Sequence, residues 1–395
     1  MLFQTLDDKN ECVGVYVDGK LHFDAIPTPL TKTWKFTGSV DSHAVQYAWI
    51  YCNGRSMAEV CPDELRENWE RCSKKLTAYK KAFAIAKLDL RQHCFFDLVP
   101  HDALLEFCDV KNKITEYVFE NYERPANYEH LKNAAALLHK LKHQDLKLES
   151  KNCRSLFTNS TLHSGAKKIL SGNRYINYNL FGTVTGRLAT HPSSFPILTM
   201  KRELRSLIKP ANDWFLSLDY NGAEVRTLLA LSGQKQPNVD IHEWNVIHVF
   251  ENATMTREEA KTIFFSWLYN PDSDHIETNH YDRKKVLDKY YDGDYINTIF
   301  GRRIMVSPKK AFNYAIQSTT ADLVIDRAIA LDEYLDGKKS FISHIVHDEV
   351  VIDLADEDRD LIPEMKNIFA KNKMDEFMVN LKAGRDYYNL KTLSL

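Results

Sequence analysis

Two aspartates placed against apolar strands constrain this chain more than any other feature. Trp214-Phe215-Leu216-Ser217-Leu218-Asp219 follows the break Pro210-Ala211-Asn212 and reads as a strand closed by a carboxylate. Phe341-Ile342-Ser343-His344-Ile345-Val346 leads through His347-Asp348-Glu349 into Val350-Val351-Ile352-Asp353-Leu354, a hairpin with a polar tip. An unpaired buried charge is costly, so each carboxylate is either exposed by geometry or buried with a partner. If the two strands are neighbours in one sheet, Asp219 and Asp348 converge and repel. A divalent cation with oxygen ligands resolves that conflict, and Mg²⁺ takes one or two carboxylates together with substrate phosphates. For either aspartate alone, a purely structural strand end is the competing reading.

A helix after Thr256 adds a substrate to this picture. Arg257, Lys261, Phe265 and Tyr269 recur every four residues. At 100° per residue such a stripe drifts only about 40° per step, so the four share one face. Thr256 can cap the start, and Glu258 and Glu259 suit the first turn. Two cations followed by two aromatics fit a ligand with a charged tail and a flat head, a nucleoside triphosphate. A partly exposed packing helix is the alternative.

Composition narrows the rest. At 395 residues, with 44% hydrophobic and 27% charged positions, the chain suits two or three globular lobes. No apolar run reaches the roughly 20 residues that span a bilayer. The seven cysteines (Cys12, Cys52, Cys61, Cys72, Cys94, Cys108 and Cys153) contain no CxxC pair, so free thiols are expected. With no apolar signal core at the N-terminus, a cytoplasmic protein without membrane contact is expected. The net charge of -2 hides an uneven distribution. From Arg66 to Arg91 there are eight Lys or Arg against three acids, and from Lys167 to Lys209 eight against one. Cations to hold phosphate beside carboxylates to hold metal suit a polyphosphate enzyme.

Residues 1–55 alternate apolar and polar, as in Val13 to Val17 before the turn Asp18-Gly19, and predict a small β-hairpin region. From about 62 to 145 the pattern is helical, with Leu65, Trp69, Cys72 and Leu76 on one face and interruptions at Pro100 and Pro125. Helices are expected again over 224–231 and across 240–295.

In order, these segments resemble the motifs of family A, polymerase I-like, DNA polymerases, and the likeness runs from about Lys167 to Leu354. Leu218-Asp219-Tyr220-Asn221-Gly222-Ala223-Glu224-Val225-Arg226 is similar to the first palm motif, and Val346-His347-Asp348-Glu349 to the second. Arg257 to Tyr269 resembles the fingers helix RxxxKxxxFxxxY. Thr185-Gly186-Arg187-Leu188, Asp240-Ile241-His242 and Thr298-Ile299-Phe300-Gly301-Arg302-Arg303 resemble TGRL, DIH and TxxGRR. Asn313 and Gln317 fall at NxxxQ, ahead of Ala321-Asp322.

The resemblance implies an α+β right-hand fold with an antiparallel β palm and helical fingers and thumb. Its segments would be an N-terminal β region at 1–55, a thumb at 56–160, palm at 161–235 and 298–395, and fingers at 236–297. It implies that Asp219 and Asp348 hold two Mg²⁺ ions and that Arg257, Lys261 and His242 contact the triphosphate, with Lys261 as proton donor to pyrophosphate. Glu224 would exclude a ribonucleotide hydroxyl, Phe265 would line the sugar pocket, and Tyr269 would sit beside the templating base. Arg187, Asn313, Gln317 and His347 would reach the primer–template, and Lys74 and Lys75 its backbone. Glu349 is a further metal or water ligand, or else a solvated hairpin residue.

Departures are also plain. Asn270-Pro271 replaces a glycine, Phe264-Phe265-Ser266 stands where Asn-Phe-Gly is common, and the stretch from Tyr269 to Asn313 is short. The first 55 residues lack the acidic DxE pattern of a 3′–5′ exonuclease, so no proofreading is expected. The compact build resembles bacteriophage enzymes that replicate DNA in the cytoplasm of a bacterial host. The expected partners are primer-template DNA and dNTPs, for a monomer, with a separate exonuclease or processivity factor left open. A two-metal nuclease and a catalytically silent DNA-binding relative are the alternative functions.

Overall fold

The structure, a computed structural model, describes every residue except 10, 38–39, 41–43, 91, 152–154, 253, 271, 274–275, 277 and 395. Arg91, Cys153 and Pro271, named above, therefore lie outside the described residues. The chain forms two compact units, Met1–His143 and Gln144–Leu395.

In the first unit, β1 (Phe3–Asp8), β2 (Glu11–Val17) and β3 (Lys20–His22) make an antiparallel sheet in that order. The β2–β3 turn is Asp18-Gly19 with φ of 47° and 81°, the doubly left-handed turn that matches strand twist. Three long helices follow: α1 (Asp63–Ile85), α2 (His101–Asn121) after Pro100, and α3 (Tyr128–Lys142) after Pro125. Proline suits these starts because the first helical turn leaves its N–H groups unbonded anyway. Cys72 is buried, and Leu65 and Trp69 pack with it against Val110, Ile114 and Val118 of α2. Leu6 and Tyr16 of the sheet share a second core with Leu104 and Cys108 of α2. The β region expected at 1–55 shares its core with the helices behind it.

The expected boundary at 160 also moves. Lys147–Leu148 pairs antiparallel with Ile208–Lys209, so the chain joins the second unit soon after His143. That long-range ladder has no periodic signature in the sequence.

The second unit is built on a five-stranded antiparallel sheet. Its strands are β4 (Trp214–Tyr220), β5 (Phe341–Val346), β6 (Glu349–Leu354), β7 (Val379–Gly384) and β8 (Lys391–Thr392), in the order β5-β6-β4-β7-β8. Leu216, Leu218 and Tyr220 are buried, and the Tyr220 ring stacks on Phe369 at 4.3 Å. Among the helices of this unit, five matter for the site: α4 (Ala223–Leu231), α5 (Ile241–His248), α6 (Arg257–Tyr269), α7 (Arg283–Tyr290) and α8 (Pro308–Tyr334). Leu228, Phe264, Trp267, Val286, Phe312 and Ile316 knit α4, α6, α7 and α8 into one core. Deleting the Phe264 ring from it would cost about 3–5 kcal/mol. Burial of Ala260, Phe264, Trp267 and Leu268 on one side of α6 fixes the opposite face, that of the four-residue stripe. No helix among the described residues is long and apolar enough to cross a membrane. The described cysteines, Cys12, Cys52, Cys61, Cys72, Cys94 and Cys108, are free thiols.

Candidate active site

The sheet brings the two aspartates together. Asp219 pairs with Glu349 across the β4–β6 ladder, so Asp348, one residue earlier at the hairpin tip, is its immediate neighbour. The tip closes through His347, whose φ of 57° is the left-handed conformation a tight two-residue turn demands. On the other side of β4, Asn380 is the cross-strand partner of Asp219 and hydrogen-bonds its carboxyl. Burial, followed by the charges of Asp348 and Glu349, pushes Asp219 up to about 7. Burial also raises Asp348. Such a pair resists ionising together unless a cation joins it. No cluster of three or more His, Cys, Asp or Glu side chains forms a metal cage among the described residues. Two carboxylates at a cavity wall could hold an ion that completes its coordination with phosphate and water.

Asp219 and Asp348 open onto a cavity of 380 Å³ whose opposite wall is the stripe Arg257, Lys261, Phe265 and Tyr269. The stripe exists because Thr256 caps α6 in a box: its N–H donates to Glu259 Oε2 at 2.8 Å, and its hydroxyl accepts from the Glu259 N–H. His242 also lines this cavity. Burial is the main cause that depresses His242 to about 4, and its Nδ1 has no partner among the described residues. Gly222 permits this approach. Its φ is +70°, and a Cβ there would lie 2.5 Å from Ile241 Cγ2.

Asp240 ties these parts together. Its Oδ2 accepts from Arg257 Nη2 at 2.8 Å and from Asn221 Nδ2 at 2.7 Å. Its Oδ1 caps α5 by accepting from the His242 and Glu243 amides. Burial alone would raise this carboxyl, but these donors outweigh it and hold Asp240 well below the carboxylate range. The aspartate preceding a helical run was a readable capping signal; its second task needed the fold.

Arg187, Glu224 and Tyr269 converge on the same cavity. Glu224 is nearly buried and accepts from Arg187 Nη2 with one oxygen and from the Tyr269 hydroxyl with the other. Burial and the Glu224 charge hold the Tyr269 phenol well above its usual range. Phe265 stacks on Tyr269 at 5.9 Å. Beneath Arg187, Arg302 makes a bidentate pair with Asp322, at 2.9 and 2.6 Å. Gly186 has φ of +79°, and a Cβ there would meet Arg302 Cζ at 2.5 Å. Residues from five separate sequence motifs thus come together here.

Other expected residues stand further off. Asn313 donates from Nδ2 to the Tyr269 carbonyl at 3.2 Å, and Gln317 follows one turn along α8. His347 lines the cavity, but Glu349 does not. Glu349 accepts from Ser217 Oγ at 2.5 Å and from the Tyr387 hydroxyl at 2.7 Å. Each of its oxygens thus carries one hydrogen bond within the protein. Lys74 and Lys75 belong to the first unit, on the exposed face of α1, paired with Glu70 and Glu106.

Comparisons with known proteins bear on this arrangement. No protein-family model matches the chain. It is 25% identical over 280 residues to a thermostable DNA polymerase I of Thermus filiformis, covering 56% of this chain and 33% of that protein. It is 24% identical over 278 residues to DNA polymerase I of Caldicellulosiruptor bescii, again 56% and 33%. The chain thus spans about a third of the length of the curated relatives it matches. Its fold matches the POL domain of Pol1 from M. smegmatis, in complex with DNA primer-template and dNTP. The TM-score is 0.57 at 14% identity, over 73% of this chain and 76% of that one. The chain is related to the family A DNA polymerases. Among family A sequences a glycine usually follows the fingers-helix tyrosine, and here the helix end is closed otherwise. Asn270 donates its N–H to the Ser266 carbonyl, and Arg283 donates to the Trp267 carbonyl at 2.7 Å while lying over the Trp267 ring. A cation on the last carbonyls takes the place of a glycine cap.

Proposed function

We propose that this chain is a template-directed DNA polymerase that adds dNTPs to a primer 3′-hydroxyl and releases pyrophosphate. One observation carries the reading: a single cavity joins Asp219 and Asp348 to the Arg257, Lys261 and Phe265 face of α6. A nuclease has use for the carboxylates but none for that face.

In this reading the sheet is the palm, α5 to α7 are the fingers, and the helices of the first unit are the thumb, where Lys74 and Lys75 meet duplex backbone. Asp219 and Asp348 would hold two Mg²⁺ ions, which when bound would supply activation of the 3′-hydroxyl and charge neutralisation at the transferred phosphate. Arg257, steadied by Asp240, and Lys261 bind the triphosphate, and Lys261 delivers a proton to the departing pyrophosphate. Neutral His242 presents an imidazole to the same phosphates. Phe265 packs on the sugar, and Glu224 closes the space a 2′-hydroxyl would need. Arg187, Asn313, Gln317 and His347 contact the primer–template close to the insertion point. The short stretch between Tyr269 and Asn313 supports a compact bacteriophage-type enzyme that replicates DNA in the host cytoplasm.

The test is extension of a labelled primer on a template by one dNTP, with and without Mg²⁺, scored also for loss of 3′ nucleotides. Mg²⁺-dependent extension is the expected result. Shortening without extension would establish a nuclease instead, and binding with neither would establish a silent relative.

A further inference from the structure

A second cavity, of 360 Å³, also has Asp219 in its wall but contains no residue of α6. Arg202, Arg205 and Lys382 line it together with Asp219, Glu349 and Tyr387. Its construction follows from local geometry. Lys382 stands opposite Ser217 in the β4–β7 register, two positions from Asp219, so the lysine and the carboxylates share one face of the sheet. Arg202 and Arg205 fall in the two-turn 3₁₀ segment Arg202–Leu207, where residues three apart eclipse one another.

Arg202 and Arg205 are held by aromatic faces, and Lys382 lies within electrostatic reach of Asp219. None of them forms an ion pair with a described residue, although two acids line the same cavity. Arg205 lies over the Tyr387 ring at 4.7 Å and Arg202 over Tyr388 at 5.9 Å. Aromatic faces orient a guanidinium while leaving its in-plane N–H groups available. The Arg205 Nε is buried and has no hydrogen-bond partner among the described residues. A buried charged donor left unmatched costs free energy, and an acceptor entering the cavity would relieve that cost. Tyr387 meanwhile donates its hydroxyl proton to Glu349 at 2.7 Å.

We infer that Arg202, Arg205 and Lys382 form a subsite for a phosphate group beside the metal carboxylates, filled by a phosphodiester of the strand being extended. This rests on the polymerase reading. The incoming triphosphate occupies the α6 side of Asp219, so the backbone already joined must leave on another side. A second source of the same chemistry is free pyrophosphate.

The test measures primer–template affinity of the full chain over a salt series, for the unaltered protein and for Arg202→Gln, Arg205→Gln and Lys382→Gln. One lost phosphate contact lowers the slope of log affinity against log salt by about 0.7–0.9, and Arg205→Gln weakens binding at fixed salt roughly tenfold. A primer with one methylphosphonate linkage at the contact weakens the unaltered protein and leaves Arg205→Gln unaffected, which places the phosphate in the strand. An unchanged slope with weaker inhibition by added pyrophosphate in the same variants keeps the subsite and assigns it to pyrophosphate. No change in either measurement across the three variants overturns it; Arg202, being exposed, guards against a folding artefact. If the unaltered protein extends no primer while the slopes still fall, the polymerase reading fails and the subsite stands.

Discussion

Asp219 and Glu349 face one another across adjacent strands, yet only Asp219 points its carboxylate into the cavity shared with α6. Both oxygens of Glu349 are already engaged, by Ser217 and Tyr387. The two acids therefore have different tasks, and substitution separates them.

Asp348→Asn is expected to reduce single-nucleotide incorporation by roughly 10³-fold or more, the several kcal/mol a metal site supplies. Primer–template affinity should stay within about threefold, since backbone contacts supply most of it. Glu349→Gln is expected to cost roughly tenfold or less. Rapid-quench incorporation rates beside titrated binding check both, and equal losses would contradict the division of labour.

Glu224→Ala removes the acceptor shared by Arg187 and Tyr269. The expected outcome is a drop of roughly 10- to 100-fold in preference for dNTP over rNTP, the scale on which a pocket discriminates a small group. Competing the two substrates on one template measures it.

Asp322→Asn leaves Arg302 buried without its bidentate partner. Breaking a buried pair in this way costs about 3–5 kcal/mol, which corresponds to a fall of roughly 10 °C in Tm for a unit of this size. Gly186→Ala should destabilise the same cluster through its positive φ and the Arg302 contact. Calorimetry of both variants tests the linkage; a neutral Asp322→Asn would dissolve it.

His344 gives a pH signature. Burial, with Arg205 nearby, lowers it to about 3. The unfolded chain takes up the proton first, so the stability this neutral ring contributes is whole above about 6.5 and is lost as pH falls towards 3. At pH 5 the loss amounts to about 2 kcal/mol. His242, depressed to about 4, adds a loss of the same sign. His344→Phe keeps a ring beside Phe215 and Tyr387 and should flatten the change between pH 7 and pH 5 by that amount in urea melts.

Much of this molecule was settled locally, and local order is what a sequence displays. The α6 stripe and its Thr256 cap, the hairpin tip at Asp348 and the strand ending near Asp219 depend on neighbours within a few residues, so spacing revealed them. Strand β7 was not anticipated, although Val379 and Leu381 alternate, because a short alternation gains meaning only beside β4. The tertiary structure alone decided that Asp240 steadies Arg257, that Tyr387 donates to Glu349, and that Arg302 and Asp322 pack beneath Gly186. Each of these joins residues from separate elements through hydrogen bonds whose partners are chosen by packing. Sequence determined which side chains carry charge and where the chain turns; only folding determined which of those charges were matched, and so which remained for a substrate.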